Sequence, residues 1–361
     1  MLVNRSEVER FETLPNGLRA CVDWISFTIL PTRKLQVSDL IHMLGFCEGD
    51  FIKTPSGANG YRSMLKLQEG NMRILYDGAP NMGIHVDISA SAISSVLYAR
   101  QKKCTIQTPF GGEAIEYSDF GYSLLLDMLN ELFPIAKFTR IDLAIDDLGC
   151  NYYSCDDIRI LVENRQIVSR FKSCDVRTPC HLADGLKEGE TICFGSRKSS
   201  VFLRVYNKQL EIYKKHGEKP PFPWVRWELE LKDERANEAV RLLLETYSLS
   251  TVSMGVLKNY IRFIEWDNNV KSRCSNEPTW DAFMENFEKI SVYIPEPAKT
   301  LEDKKRWVDE TVGATLSAII EAYGGSMEFI YENLQKWQEK RKRNPQLTSC
   351  LIQALEKKDH E

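Results

Sequence analysis

The chain has no apolar run near the ~20 residues that a helix needs to cross a bilayer. Its first stretch, "MLVNRSEVERFETLPNGLRA", is polar and has no h-region, so no signal peptide and a cytoplasmic location are expected. Ten cysteines contain no C-x-x-C pair and do not cluster, the pattern of reduced, mostly buried thiols. A zinc site from Cys150, Cys155, Cys174 and Cys180 would need poor spacings. Five histidines, at 42, 85, 181, 216 and 360, form no H-x-H pair, so a metal site here would rest on oxygen ligands. Repeats and low-complexity tracts are absent too. So is any excess of positive charge: 47 Lys and Arg stand against 51 Asp and Glu, a formal net charge of −4. That argues mildly against nucleic acid as a partner, since a protein that coats it would be basic overall. A protein that acts on DNA at one place needs only a local patch.

Such a patch is present. "TICFGSRKSSVFLRVYNKQLEIYKK" (191–215) holds six Lys or Arg, one acid and two tyrosines. A second basic run, "KWQEKRKR" near residue 340, reads as a solvated helix end. The length of 361 residues suits about two domains.

Along the chain, strand-like and helix-like segments alternate irregularly. "RACVDWISFTIL", "MGIHVDISA", "AKFTRIDLAIDD" and "WVRWELELK" have strand composition. "GYRSMLKLQEGNMRILYDG" reads as two strands joined by a tight turn, and "ETICFGSRKSSVFLRVYNK" as a hairpin turning at Gly195–Ser199. "SDLIHMLGF", "SAISSVLYARQK", "YSLLLDMLNELF", "DDIRILVENRQ" and "DERANEAVRLLLETY" have helical character. From about residue 250 the pattern is almost entirely helical. The expected fold is α+β: a largely antiparallel sheet domain over 1–270, then a helical region over 271–361.

Side chains alternate faces along a strand. In "RIDLAID", Arg140, Asp142, Ala144 and Asp146 share one face. In "VRWELELK" the set is Arg226, Glu228, Glu230 and Lys232. In "SVFLRVY" it is Phe202, Arg204 and Tyr206. The opposite faces are apolar. One such strand ordinarily shows its charges to solvent. Three as neighbours would make one surface of carboxylates, arginines and a tyrosine hydroxyl, which fits metal-assisted phosphoryl transfer with Mg²⁺ or Mn²⁺. After Tyr206, "NKQLEIYKKHGEKPP" reads as a helix capped by Asn207, with Lys214, Lys215 and His216 in its last turn and Gly217 beyond. Tyr206 then sits just before a helix N-terminus, which attracts phosphate. Tyr213, two turns along, is a second candidate or a packing residue.

The stretches "VDWISFT", "GYRSMLKL…ILYDG", "MGIHVDIS", "RIDLAIDD", "FGSRKSSVFLRVYNKQLE" and "WVRWELELKDERA" occur in this order. Together they resemble the Rep_trans replication initiation factor family of rolling-circle initiators and relaxases of integrative conjugative elements. The likeness extends through "NYIRF" and "PTWDAFMENF". "MGIHVDISASAISSV" departs from the family by lacking a Gly-rich turn. The resemblance implies a site-specific DNA nickase and strand transferase. In that reaction a tyrosine attacks one phosphodiester, leaves a free 3′-OH and stays joined to the DNA 5′ end. It implies Tyr206 as nucleophile with Tyr213 as the fallback. The implied metal ligands are Asp142 and Glu228, with Asp146, Glu211 and Glu230 as further acids. Arg204, Lys208 and Arg226 would contact the scissile phosphate, and Arg197 and Lys198 would contact DNA. Origin DNA is the implied partner, with a host helicase by family analogy. Initiators of the family tend to be dimers. Two other readings stay open: an origin-binding protein without catalysis, and a metal-dependent nuclease that uses water.

Overall fold

The computed structural model describes residues 11–101, 103–107, 113–117, 121–293, 301–342, 348 and 352. In chain order the strands are β1 (Phe11–Thr13), β2 (Arg19–Ile29), β3 (Phe51–Lys53), β4 (Ser63–Leu67), β5 (Met72–Tyr76), β6 (Ile84–Ser89), β7 (Lys103–Gln107) and β8 (Glu113–Tyr117). They continue with β9 (Ala136–Leu148), β10 (Ile167–Ser169), β11 (Cys174–Arg177), β12 (Thr191–Phe194), β13 (Val201–Asn207), β14 (Trp224–Lys232) and β15 (Ile261–Phe263). Eleven of them form one antiparallel sheet in the order β11-β12-β13-β14-β9-β2-β6-β5-β4-β3, with β1 alongside β2. The long strands β2, β9 and β14 lie at its centre, as their β-branched and aromatic content suggests.

The apolar face of this sheet is covered by helices. They are α1 (Val37–Met43), α2 (Ala90–Arg100), α3 (Tyr122–Leu132), α4 (Cys155–Glu163), α6 (Glu234–Thr246), α7 (Leu249–Tyr260) and α8 (Pro278–Met284), whereas α5 (Lys208–His216) buries no residue and lies beside the ionic end of β13. Of these, α2, α6 and α7 pack on the central strands, and α4 packs on β12 and β13. Ile141, Leu143 and Ile145 of β9 and Trp227, Leu229 and Leu231 of β14 are fully enclosed in that core. Trp227 sits in an aromatic cluster with Tyr153, Phe263, Trp280 and Phe283, with ring centroids 5.2–6.3 Å from it. Truncating such a ring costs about 3–5 kcal/mol.

The segments read as strands or helices take those forms, the short strands β1, β3, β7, β8, β10 and β11 have no counterpart in the sequence reading, and one segment needs a correction. "NYIRF" was expected within the helical part. Its Ile261–Phe263 is instead a strand, which pairs antiparallel with Ile167–Ser169. A β-branched, aromatic triplet at the end of α7 finds a partner 94 residues earlier, which local periodicity does not report. No disulfide joins the described cysteines; Cys21, Cys155, Cys193 and Cys274 are buried, whereas Cys47 and Cys180 are exposed.

The chain divides into two compact units, Met1–Tyr293 and Ile294–Glu361. The second contains α9 (Leu301–Trp307), α10 (Gly313–Ala322) and α11 (Glu328–Lys342), whose last turn carries Lys340, Arg341 and Lys342. Cations there suit the negative end of the helix dipole. Among the described residues no helix is long and apolar enough to cross a membrane.

Candidate active site

The three ionic strand faces are joined into one. β13 pairs with β14, placing Arg204 opposite Glu228 and Tyr206 opposite Arg226. β14 pairs with β9, placing Arg226 opposite Asp146, Glu228 opposite Ala144, and Glu230 opposite Asp142. Antiparallel partners share a face, so all these side chains point the same way. The acids are not solvated: Asp142, Asp146, Glu228 and Glu230 are all buried. Buried charge persists only when paired, and each acid has its cation.

At one end of this face lies Tyr206. Its hydroxyl donates to Glu228 Oε2 at 3.0 Å, and Arg204 Nη2 holds Glu228 Oε1 at 2.6 Å. The Arg204 guanidinium stands 4.7 Å from the Tyr206 ring centroid. Lys208 Nζ lies 3.4 Å from the Tyr206 hydroxyl and also bonds Glu211. Burial, and after it the negative charge of Glu228, push the Tyr206 phenol well above its usual range. Tyr206 is therefore a protonated phenol whose proton already points at a carboxylate.

The local fold that aims it is the β13–α5 junction. The Asn207 side chain accepts from the Leu210 N–H at 3.0 Å and caps α5. Gly217 takes a left-handed conformation (φ +76°) that ends it. Although Tyr206 is only 5 % exposed, it lines a cavity of about 330 Å³ together with Arg204, Asn207, Glu211, Lys214 and Lys215. Glu188, Glu190 and Thr191 complete the wall. Tyr213 does not join this group: it is 52 % exposed on α5.

Arg226, expected to contact DNA, is turned inward instead. It is 1 % exposed, binds both oxygens of Asp146 at 2.6 and 2.7 Å, and bonds Asp23 as well. Trp224 Nε1 adds a bond to Asp146 at 2.9 Å. A guanidinium satisfied on this many sides inside the protein has no face left for a phosphate. Arg197 and Lys198 are exposed in the β12–β13 turn, beyond Val201, which begins β13 five residues before Tyr206. That is roughly 16 Å along an extended strand. Gly195 opens this turn at φ +84°, where a Cβ would meet the Phe171 ring at 2.8 Å.

The proposed metal ligands are not arranged as a metal cage. Among the described residues no group of three or more His, Cys, Asp and Glu is placed to hold an ion. Arg140 takes both oxygens of Asp142 at 2.8 and 2.6 Å and one of Glu230 at 2.9 Å. Lys232 takes the other oxygen of Glu230 at 2.6 Å. Asp146 belongs to Arg226, and Glu211 to Lys208. As arranged, these carboxylates fit the chain's own cations and not a divalent ion. Burial and the neighbouring Glu228 and Glu230 nonetheless push Asp142 up to about 7, against the pull of Arg140. The four cysteines considered for zinc form no such group either.

Two residues of this face were not singled out in the sequence: Asp23 and Trp24. Strict alternation along β2 puts consecutive residues on opposite faces. A bulge between Val22 and Trp24 inserts Asp23 as an extra residue. Asp23 then reaches Arg226, and Trp24 lies opposite Asp142. Composition carries no signal for that shift.

This geometry has relatives. The family model described as replication initiation factor, Rep_trans, matches residues 136–334, which begins at β9 and includes β13, α5 and β14. A curated protein from Bacillus subtilis (strain 168), named "Putative DNA relaxase NicK", is 34% identical over 329 residues, 87% of this chain and 84% of that protein. The solved structure of a rolling circle replication initiator protein from Geobacillus stearothermophilus matches with a TM-score of 0.62 at 23% identity. It covers 77% of this chain and 100% of that one, and at this identity the likeness is one of fold. The ordered motifs, the 34% identity across most of both chains and the family match agree: this chain belongs to the Rep_trans replication initiation factor family.

Proposed function

We propose that this protein is a DNA nickase and strand transferase of the relaxase or rolling-circle initiator kind, with Tyr206 as its nucleophile. The observation that carries this reading is the 3.0 Å bond from the Tyr206 hydroxyl to Glu228, at the edge of a cavity whose charged lining is Arg204, Lys214 and Lys215 with Glu188, Glu190 and Glu211. A free phenol, with a pKa near ~10, is a poor nucleophile at neutral pH. Here Glu228 Oε2 accepts the phenolic proton as the Tyr206 oxygen forms its bond to phosphorus. The bond from phosphorus to the 3′ oxygen breaks, and that oxygen takes a proton from solvent. The DNA 5′ end remains on Tyr206 as a phosphodiester to tyrosine, and the reverse reaction reseals the strand. Lys208 and Arg204 sit where charge accumulates on the tyrosine oxygen and the phosphate. Lys214 and Lys215 supply further positive charge to the cavity wall.

The acids that would hold Mg²⁺ or Mn²⁺ are engaged by Arg140, Lys232 and Arg226, so this scheme rests on the chain's own groups. Origin DNA is the proposed substrate, and a helicase and a second copy of the chain are the partners the family suggests.

The test mixes the protein with end-labelled single strands spanning the origin of its own element, with and without Mg²⁺ or Mn²⁺. A covalent adduct that maps to Tyr206 and is lost in Tyr206→Phe, with folding intact, is the expected result. Cleavage without an adduct would replace this reading with a water-using nuclease. Tight binding without cleavage would replace it with an origin-binding protein.

A further inference from the structure

A second opening lies on the same sheet face, beyond Arg140 from Tyr206. The register sets Lys232, Arg140, Ser26, Asp87, Arg73 and Lys66 opposite one another on six successive strands. Strands are spaced about 4.8 Å apart, so this row spans roughly 24 Å. Its far half borders a cavity of about 320 Å³ lined by Trp24, Lys66, Gly70, Asn71, Arg73 and Asp87.

Trp24 is out of place for a core residue. It stands half-buried on the ionic face, put there by the bulge at Asp23. Its ring is fixed in place: Nε1 donates to Ser26 Oγ at 2.7 Å, and the Arg140 guanidinium lies 4.8 Å from the ring centroid. Ser26 in turn donates to Asp87 at 2.6 Å. Asp87 is the one acid on this cavity, and it does not repel an anion there. It is buried, and its oxygens are taken by Ser26, His85 and Arg73. Burial works against its ionisation, yet those bonds and the charges of His85 and Arg73 hold it at about 2. Lys66 is exposed and makes no ion pair among the described residues. Arg73 engages Asp87 through Nη2 at 2.6 Å, with guanidinium N–H groups beyond that bond.

A pre-positioned indole flanked by two cations and an asparagine is chemistry for a nucleotide. The ring stacks a base, and the cations take its phosphate. Stacking of this kind needs an unpaired base, which a single strand provides and a duplex withholds. We propose that this opening is a nucleotide subsite for the single strand that Tyr206 cuts, with a base stacked on Trp24 and its phosphate held by Lys66 and Arg73. The inference deepens the nicking reading and rests on it: the strand that presents a phosphate to Tyr206 continues across the sheet along the Arg140 row.

The probe is an oligo(dT) strand carrying 5-iododeoxyuridine, mixed at low salt with the full chain carrying Tyr206→Phe. Two quantities are read: affinity by fluorescence anisotropy, and the site of photo-crosslinking by peptide mass spectrometry. The expected crosslink falls on Trp24. Trp24→Ala should weaken binding about tenfold, within the range for one stacked base, and Trp24→Phe should restore most of it. Lys66→Ala, a surface change that leaves the core untouched, should weaken binding and flatten its salt dependence. Crosslinks confined to other residues, with Lys66→Ala binding like the parent, would overturn the subsite. If the unsubstituted chain still forms its Tyr206 adduct in that case, the nicking reading stands alone. Failure of the parent to bind any single strand would overturn both.

Discussion

Two arginines pair with two carboxylates on neighbouring rows of one sheet face, and they have opposite uses. Arg226 and Asp146 are sealed: both are about 1 % exposed, and Asp23 and Trp224 close the ring around them. Arg204 and Glu228 have the same chemistry, but Arg204 reaches the surface and Glu228 keeps one oxygen for the Tyr206 hydroxyl. The first pair fixes how β9, β14 and β2 meet. The second leaves a proton acceptor beside a cavity. On the proposed function, the exposure of the arginine, 30 % for Arg204 against 1 % for Arg226, separates the reactive ion pair from the structural one, for both carboxylates are buried.

The largest effect should come from breaking the sealed pair. Arg226→Ala strands Asp146 and Asp23 without their cation, at a cost of about 3–5 kcal/mol. The urea midpoint should fall accordingly, and DNA binding should be lost only as the protein unfolds. If Arg226→Ala stays stable and loses only DNA affinity, the contrast between the pairs is wrong. Glu228→Gln breaks the reactive pair. It keeps the shape and removes the proton acceptor, so adduct formation should drop by about 10²–10⁴-fold while the melting temperature moves little.

The third expectation concerns pH. The Asp142 carboxyl lies at about 7 in the folded chain, above its ordinary value of about 3.9. Between those values the folded state holds the extra proton, so this group's effect on stability worsens as pH rises from about 4 through about 7. Stability relative to Asp142→Asn should therefore decline from about pH 5 to about pH 8, read from urea midpoints at each. Parallel profiles would show that Arg140 keeps Asp142 ionised throughout. The smallest effect belongs to Tyr213→Phe. On an exposed helix face it should change stability by no more than about 0.5 kcal/mol and leave the adduct intact.

Much of this site was legible beforehand because strand periodicity is a local property. Alternation in "RIDLAID", "VRWELELK" and "SVFLRVY" separates the ionic from the apolar face, and Asn207 and Gly217 mark both ends of α5. What was not legible is non-local. Arg226 and Arg204 occupy equivalent-looking strand positions, and only the sheet order decides that one meets Asp146 and Asp23 while the other meets solvent. The pairing of Ile261–Phe263 with Ile167–Ser169 is likewise invisible to any short window. The contribution of Trp24 and Asp23 depends on one extra residue in β2.

That extra residue acts as a phase shift. Upstream of it, odd-numbered positions of β2 such as Cys21 face the ionic side; downstream, even-numbered positions such as Trp24 and Ser26 do. Deleting a single residue there would leave every amino acid of the strand's second half chemically unchanged. It would nevertheless send Trp24 or Ser26 into the hydrocarbon interior, or drag Ile25 and Phe27 out of it. In this protein the spacing of β2 is thus as much a part of the site as the residues themselves, and the length of that strand is a parameter that no substitution can mimic.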